Sequence, residues 1–329
     1  MNFSIHFFAA LFFSPLFAVL YWEKYLKGGS GMGGAAAGHL AAALTILVWS
    51  VTYISTKVLL EAYQPIEILF TRFFIGFCVL SLVCRSRIRF RPFREERLFM
   101  AAGFCGVTLY FLFENMALVY SQASNVGMIV AAAPMLTAIA ARIFLWEERI
   151  GVFFWVGFVC AMAGIALISF SGAAELSLNP LGDLLAFLGA LSWAFYSVFT
   201  KKLAAFRETA AEETRHIFFY GLIFMIPAMR AMDFRPGLER LADPVNLFNI
   251  LFLGVLASAL CFATWGFAVH RIGAVRTAAY IYAGPVLTVA CAAAVLGERI
   301  TAASAAGMAL TMTGLFISQW LPQLLGRRS

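Results

Sequence analysis

The sequence carries little charge for its length. Only 12% of its 329 residues are charged and 62% are hydrophobic, whereas a typical soluble domain has about 25% charged and about 45–50% apolar residues. So little polar surface cannot cover a globule in water, and we infer that lipid surrounds most of the chain. The formal net charge of +7 does not indicate nucleic-acid binding, because the basic residues lie in short loops between apolar runs.

Several chemical motifs are also missing. The six cysteines form no CxxC pair and are expected to be packing residues, and the four histidines are scattered without metal-ligand spacing. The sequence has no GxxxxGK[ST] loop for ATP phosphates and no HxxxD or DxxxD cluster. We therefore expect no cofactor, no metal ion and no enzymatic activity. An enzyme acting on a membrane lipid, and a receptor that binds a solute without moving it, stay open as weaker hypotheses.

Ten apolar runs are each long enough to cross a bilayer, which takes about 20 residues of helix. Because lipid leaves no partner for free backbone groups, these runs predict helices and an all-α membrane fold. Their approximate limits are Leu40–Leu60, Ile66–Cys84, Leu98–Leu118, Asn125–Trp146, Val152–Phe170, Asp183–Lys202, His216–Met232, Leu247–Val269, Thr277–Leu296 and Ala302–Leu321.

Two segments of the sequence are repeated. Residues 49–57 match residues 193–201 in Trp, Thr and Lys at equal spacing, and residues 134–150 match residues 285–300 with one residue of gap. A unit of about 145 to 150 residues therefore occurs twice. Each copy holds five spans, an odd number, so the second copy enters the membrane from the opposite side. The sequence predicts two inverted five-helix repeats, at 39–171 and 181–321.

Loop charge predicts the orientation. When loops are assigned alternately to two sides, one side holds fifteen Lys and Arg residues and the other four. The richer side is expected to be cytoplasmic, which places the C-terminus inside and the protein in the plasma or inner membrane. Residues 1–38 stand apart. Phe3–Leu20 is apolar and predicts an extra helix followed by a glycine-rich linker, unless the chain functionally begins at Met32.

The repeated residues resemble the drug/metabolite transporter superfamily, in particular its ten-helix exporters built from two EamA domains. The resemblance rests on Trp49 to Lys57, on Ala117-Leu118, Pro134 and Glu148-Arg149, and on their repeats Ala268-Val269, Pro285 and Glu298-Arg299. Ser50 and Ala194 replace the glycine that often follows the tryptophan in this family. The resemblance implies export of amino acids or other small metabolites, although some relatives carry drugs or nucleotide sugars. A proton is a candidate coupling ion, and both a monomer and a homodimer stay open.

Polar residues within the spans are the candidate substrate ligands, because charge in lipid is costly. Glu114 lies late in the third span with Tyr110 one turn earlier on the same face, and it suits a substrate amine or a coupling proton. Arg72 either binds a carboxylate, pairs with Glu114, or extends to the membrane surface. Asn115 adjoins Glu114.

Aromatic residues and prolines complete the predicted site. Trp49 and Trp193 fall about ten residues into their spans, away from the interfacial belts. The other aromatic candidates are Tyr53, Tyr196, Trp265 and Tyr282. Pro134 and Pro285 lie at matched depth and predict two helix kinks that shape a cavity.

Overall fold

The computed structural model describes residues 32–84, 86–121, 123–145, 151–172, 179–206, 208–287, 290, 301–319 and 321–324, and all of their regular structure is helical. The first repeat forms α1 (Met32–Leu59), α2 (Pro65–Val83), α3 (Phe93–Tyr120), α4, which has two parts (Ala123–Val130 and Ala133–Phe144), and α5 (Val152–Gly172). The second forms α6 (Pro180–Leu203), α7 (Ala210–Ala231), α8 (Pro244–Ile272), α9, which starts at Ala274–Ala279, and α10 (Ala302–Gln319), followed by a single turn, α11 (Leu321–Leu324).

Within the described residues, each of the ten predicted spans overlaps one of these helices, so the predicted all-α architecture is confirmed. Among the described residues, α1, α2, α3, α6 and α8 contain stretches long and apolar enough to cross a membrane. The predicted N-terminal helix at Phe3–Leu20 lies outside the described residues, as do the Glu148-Arg149 and Glu298-Arg299 motifs.

The last helices of the two repeats, α5 and α10, pack directly against one another through glycines. A Cβ added to Gly157 would lie 2.5 Å from the carbonyl oxygen of Gly314, and one added to Gly164 would lie 2.6 Å from that of Gly307. Small residues let membrane helices approach this closely. The two contacts follow one another in opposite order along α5 and α10, and their spacing is the same in both helices. A two-fold axis between inverted repeats requires this arrangement.

The same symmetry joins the repeats elsewhere. Gly221 of α7 faces Val107 of α3. A Cβ added to Gly76 of α2 would lie 3.3 Å from the carbonyl oxygen of Gly254 in α8. In each case the second helix of one repeat packs on the third helix of the other. The repeats are therefore interlocked, and their interface runs through the centre of the bundle.

Both third helices contain a wide-turn segment. The backbone adopts π-helical bonding at Phe104–Leu109 within α3 and at Phe252–Leu260 within α8. Such segments expand one turn and are common at functional sites. They end at equivalent positions of the two repeats, Leu109 and Leu260, and nothing in the amino-acid composition predicted them.

The two prolines correct a prediction. A kink in a continuous helix was expected at Pro134, but the first part of α4 ends at Val130 and a second helix begins at Ala133, which puts Pro134 in its first turn. Pro285 likewise follows a 3₁₀ turn, Tyr280–Tyr282, in α9. Proline is well tolerated in a first helical turn, because its missing N–H has no intrahelical partner there. The fold thus interrupts α4 and α9 where a bend was expected.

Candidate functional site

Three tryptophans meet at the centre of the bundle. The ring centroids of Trp49 and Trp193 lie 5.3 Å apart, those of Trp49 and Trp265 5.2 Å apart, and those of Trp193 and Trp265 5.7 Å apart. They come from α1, α6 and α8, so both repeats contribute. The ring of Phe262 in α8 packs against Trp49 and Trp193 and extends the cluster. We call Trp49, Trp193, Trp265 and Phe262 the aromatic centre.

The indole N–H groups of the aromatic centre differ in their hydrogen bonding. Trp49 Nε1 donates to the carbonyl oxygen of Ala257 at 2.9 Å, inside the π-helical segment of α8. The Nε1 atoms of Trp193 and Trp265 have no hydrogen-bond partner among the described residues, although these side chains are 3% and 0% exposed. Buried donors are nearly always paired in native proteins, so two adjacent unpaired ones point to an acceptor supplied by a ligand.

Arg72 is buried in α2, which excludes the reading that it extends to the membrane surface. It is 5% exposed, and its Nε donates to Ser258 Oγ at 3.0 Å. Its guanidinium carbon lies 4.7 Å from the ring centre of Phe111 and 5.3 Å from that of Phe73, which are cation–π contacts. Ser258 belongs to the π-helical segment of α8, so the arginine of one repeat is fixed by the other.

Glu114 and Tyr110 share one face of α3, as predicted. The Tyr110 hydroxyl donates to Glu114 Oε1 at 2.8 Å, and Glu114 is 6% exposed. The Tyr110 ring lies 4.9 Å from that of Trp193, which ties this face to the aromatic centre. Arg72 and Glu114 attract one another electrostatically.

The remaining predicted residues are distributed around this centre. Tyr196 is buried with its ring 5.0 Å from that of Trp193. Tyr282 is also buried, but its ring packs at 6.5 Å against Phe158 of α5 and not against the tryptophans. Asn115 is half-buried and lies about 100° around α3 from Glu114. The side chain of Tyr53 lies outside what the structure describes.

Two buried acids lie outside the aromatic centre. The pairs Glu95-Glu96 and Glu212-Glu213 stand next to basic residues in the sequence, a pattern that favours solvated loops, yet Glu96 is 6% and Glu213 1% exposed. Glu96 Oε1 contacts His216 Nε2 at 2.7 Å and accepts from the Tyr220 hydroxyl at 2.6 Å, and Glu213 contacts His270 Nε2 at 2.9 Å. Burial of one acid in each pair follows from helical geometry, because neighbouring residues face different sides. The third pair, Glu147-Glu148, lies outside the described residues.

The centre therefore combines opposite charges with aromatic walls. Arg72 and the two indole N–H groups are hydrogen-bond donors, whereas the carboxylate of Glu114 is a negatively charged hydrogen-bond acceptor. Such a set matches a small solute carrying both an anionic and a cationic group. Ser258 and Phe111, which fix Arg72, and Phe262 were missed, because only their contacts distinguish them from other residues of apolar helices.

Comparison with known proteins identifies the family of the chain. A family model described as the EamA-like transporter family matches residues 36–170 and again residues 180–320. An "Uncharacterized transporter" of Archaeoglobus fulgidus is 27% identical, covering 85% of this chain and 96% of its own length. A "Probable terminal-alkyne amino-acid exporter" of Streptantibioticus cattleyicolor is 26% identical over 88% and 94% of the two chains.

Two further comparisons concern a third relative and the fold. A "Probable amino-acid metabolite efflux pump" of Salmonella typhimurium is 24% identical over 84% of this chain and 93% of its own. One solved crystal structure superimposes with a TM-score of 0.73 over 88% of this chain and 99% of its own. At 22% sequence identity that likeness supports the fold alone.

Proposed function

This chain belongs to the EamA-like transporter family, and from that premise we propose that it exports amino acids or closely related metabolites. It is a multi-pass membrane protein and a transporter, not a member of an enzyme family. We propose alternating access around the aromatic centre, with the basic loops cytoplasmic and the protein in the plasma or inner membrane. The relatives named as amino-acid exporters support this solute class.

The observation that carries the proposal is a pair of buried indole N–H groups without a partner among the described residues, in the same aromatic cluster as a buried arginine. These donors are Trp193 Nε1 and Trp265 Nε1. The positive charge of Arg72 lies against Phe111, whose ring contacts Tyr110, and the Tyr110 ring contacts Trp193. An amino acid's carboxylate would satisfy these donors, and hydrogen bonds to a charged acceptor are the strong ones. Its ammonium group would face Glu114, whose carboxylate already accepts from Tyr110.

No ATP-binding loop is present in the sequence, so the proposed export is driven by ion or solute gradients. A proton is the candidate coupling ion, and Glu114 is its candidate carrier because it is a buried carboxylate facing the proposed solute.

Counterflow in proteoliposomes tests the proposal. Vesicles loaded with one unlabelled amino acid should accumulate the labelled form, across a panel of amino acids. The matching amine, which lacks the carboxylate, and the matching carboxylic acid, which lacks the amine, should compete poorly. Absence of flux for every amino acid of a broad panel would remove the amino-acid assignment, and equal competition by either analogue would remove the two-charge recognition.

A further inference from the structure

At each end of the bundle, an arginine of one repeat pairs with an acid of the other repeat and stacks on one of its aromatic rings. Arg91 lies in the loop between α2 and α3, and Arg240 lies in the loop between α7 and α8. Because α7 is the inverted counterpart of α2, the two loops emerge at opposite ends. We call the end with Arg91 the basic end, since its loop also carries Arg87 and Arg89.

Arg91 joins the first repeat to the start of the second repeat's α7. Its Nη2 donates to Glu208 Oε1 at 2.8 Å and to the carbonyl oxygen of Phe206 at 3.4 Å. Its guanidinium carbon also lies 4.6 Å from the centre of the Phe206 ring. The hydrogen bond to Glu208 raises the pKa of Arg91. We call these three residues the first latch.

Arg240 repeats the arrangement at the opposite end, with the repeats exchanged. Its Nη1 donates to Glu67 Oε2 and to the carbonyl oxygen of Ala62, both at 2.8 Å. Its guanidinium carbon lies 5.1 Å from the centre of the Tyr63 ring. Arg240, Tyr63 and Glu67 form the second latch, which joins the second repeat to the start of the first repeat's α2.

The latches occupy equivalent positions in the duplicated unit. Each stands at a capping box that starts the second helix of a repeat, Gln64 with Glu67 before α2 and Thr209 with Glu212 before α7. Both latches combine a carboxylate, a backbone carbonyl and an aromatic ring around one guanidinium. They differ in which acid binds the arginine. In the second latch the capping acid Glu67 is itself the partner of Arg240. In the first latch the capping acid Glu212 accepts from Ser86, and Glu208 binds Arg91 instead.

We propose that Arg91 and Arg240 are gating residues of the transport cycle, each holding one end of the pathway shut. The inference rests on the alternating access of the proposed function. Both latches are closed here, and Trp193 and Trp265 between them are fully enclosed, which is the arrangement of an occluded state. Opening toward either membrane face then requires that the repeats separate at that end and that its arginine release its acid and its ring.

Cys261 supplies a native reporter of opening that needs no substrate. It is 1% exposed and close enough to Arg72 for the two side chains to interact electrostatically, so a thiol reagent reaches it only after one end opens. The assay uses the full-length chain in membranes with the other five cysteines replaced by alanine. A membrane-impermeant maleimide is added to one face or the other, and the rate of Cys261 labelling is measured.

Opposite shifts are expected from the two latches. Arg91→Gln should raise the labelling rate from the face of the basic end roughly threefold to tenfold, as loss of an ion pair and a cation–π contact implies. It should leave labelling from the other face unchanged or lower. Arg240→Gln should show the mirror-image result, and Arg→Lys at either site should give a smaller shift because lysine keeps only the charge.

Matched controls remove charge without breaking a latch. Arg94→Gln at the basic end and Arg230→Gln at the opposite end alter exposed arginines and should leave both labelling rates unchanged. If an arginine variant fails to fold, Glu208→Gln or Glu67→Gln breaks the same latch from its acidic side. Shifts toward the same face in both latch variants, shifts equal to those of the controls, or no shift at all would each overturn the gating role.

The labelling result separates this inference from the substrate assignment. Opposite, face-specific shifts in a protein that moves no amino acid would uphold the latches and remove the solute class. Normal amino-acid flux with unshifted labelling would uphold the solute class and remove the latches.

Discussion

Replacing Trp193 by phenylalanine tests whether the unpaired indole N–H groups serve the solute. The substitution keeps an aromatic ring in the aromatic centre and deletes one donor. Trp49→Phe is its matched control, because the Trp49 N–H is already bonded to the carbonyl oxygen of Ala257 at 2.9 Å. The two residues lie 5.3 Å apart between ring centroids, so they share one environment and differ in their hydrogen bonding.

The expected magnitudes separate the two variants. A hydrogen bond from the Trp193 N–H to a carboxylate contributes about 1.5–3 kcal/mol, which corresponds to roughly tenfold to 150-fold weaker solute binding in Trp193→Phe. Deleting an unpaired buried N–H also relieves about 1–3 kcal/mol of desolvation cost, and this offsets the loss of apolar contact from the smaller ring. We therefore expect a large loss of affinity with a small change in thermal stability.

Trp49→Phe should show the reverse. It leaves the carbonyl oxygen of Ala257 without its donor and costs about 1–3 kcal/mol of stability, so its unfolding temperature should fall while affinity changes less than in Trp193→Phe. Solute affinity is measured by counterflow in proteoliposomes, and stability by thermal unfolding of the detergent-solubilised protein. Unchanged affinity in Trp193→Phe, or an equal loss of affinity in both variants, would refute the assignment of this N–H to the solute.

The remaining predictions concern one site residue and two structural contacts. Glu114→Gln should abolish counterflow or remove its pH dependence, because it deletes the only proposed partner for the ammonium group; a wild-type rate with an unchanged pH profile would clear Glu114 of a role. Glu96→Gln should cost about 1.5–3 kcal/mol of stability by weakening the contacts with His216 and Tyr220, whereas Glu95→Gln, half-exposed beside it, should cost under about 1 kcal/mol in the same thermal unfolding assay. Gly164→Ala should destabilise the α5–α10 contact by about 2 kcal/mol or more, because its Cβ would lie 2.6 Å from a carbonyl oxygen, and Gly151→Ala, with open space around it, is the control that should unfold like wild type.

The residues of the candidate site show how far sequence reasoning reached. A charge or an indole far from the ends of an apolar span is visible in the sequence, and in this way Arg72, Glu114 and the tryptophans were found. Which of them touch was not visible, because residues on different helices meet only through packing. Tyr282 accordingly turned out to contact α5, whereas Phe262, unremarkable among 34 phenylalanines, lies in the aromatic centre.

Hydropathy and repetition by themselves determined the ten helices and their duplication, because lipid admits only segments that satisfy their own backbone and an odd number of crossings inverts the copy. Only the tertiary structure decided that α4 and α9 are interrupted near their prolines, that α3 and α8 carry matching wide turns, and that Arg91 and Arg240 reach across the repeats. Those outcomes depend on which surfaces meet, and a periodic apolar pattern specifies that a helix forms without specifying its neighbours.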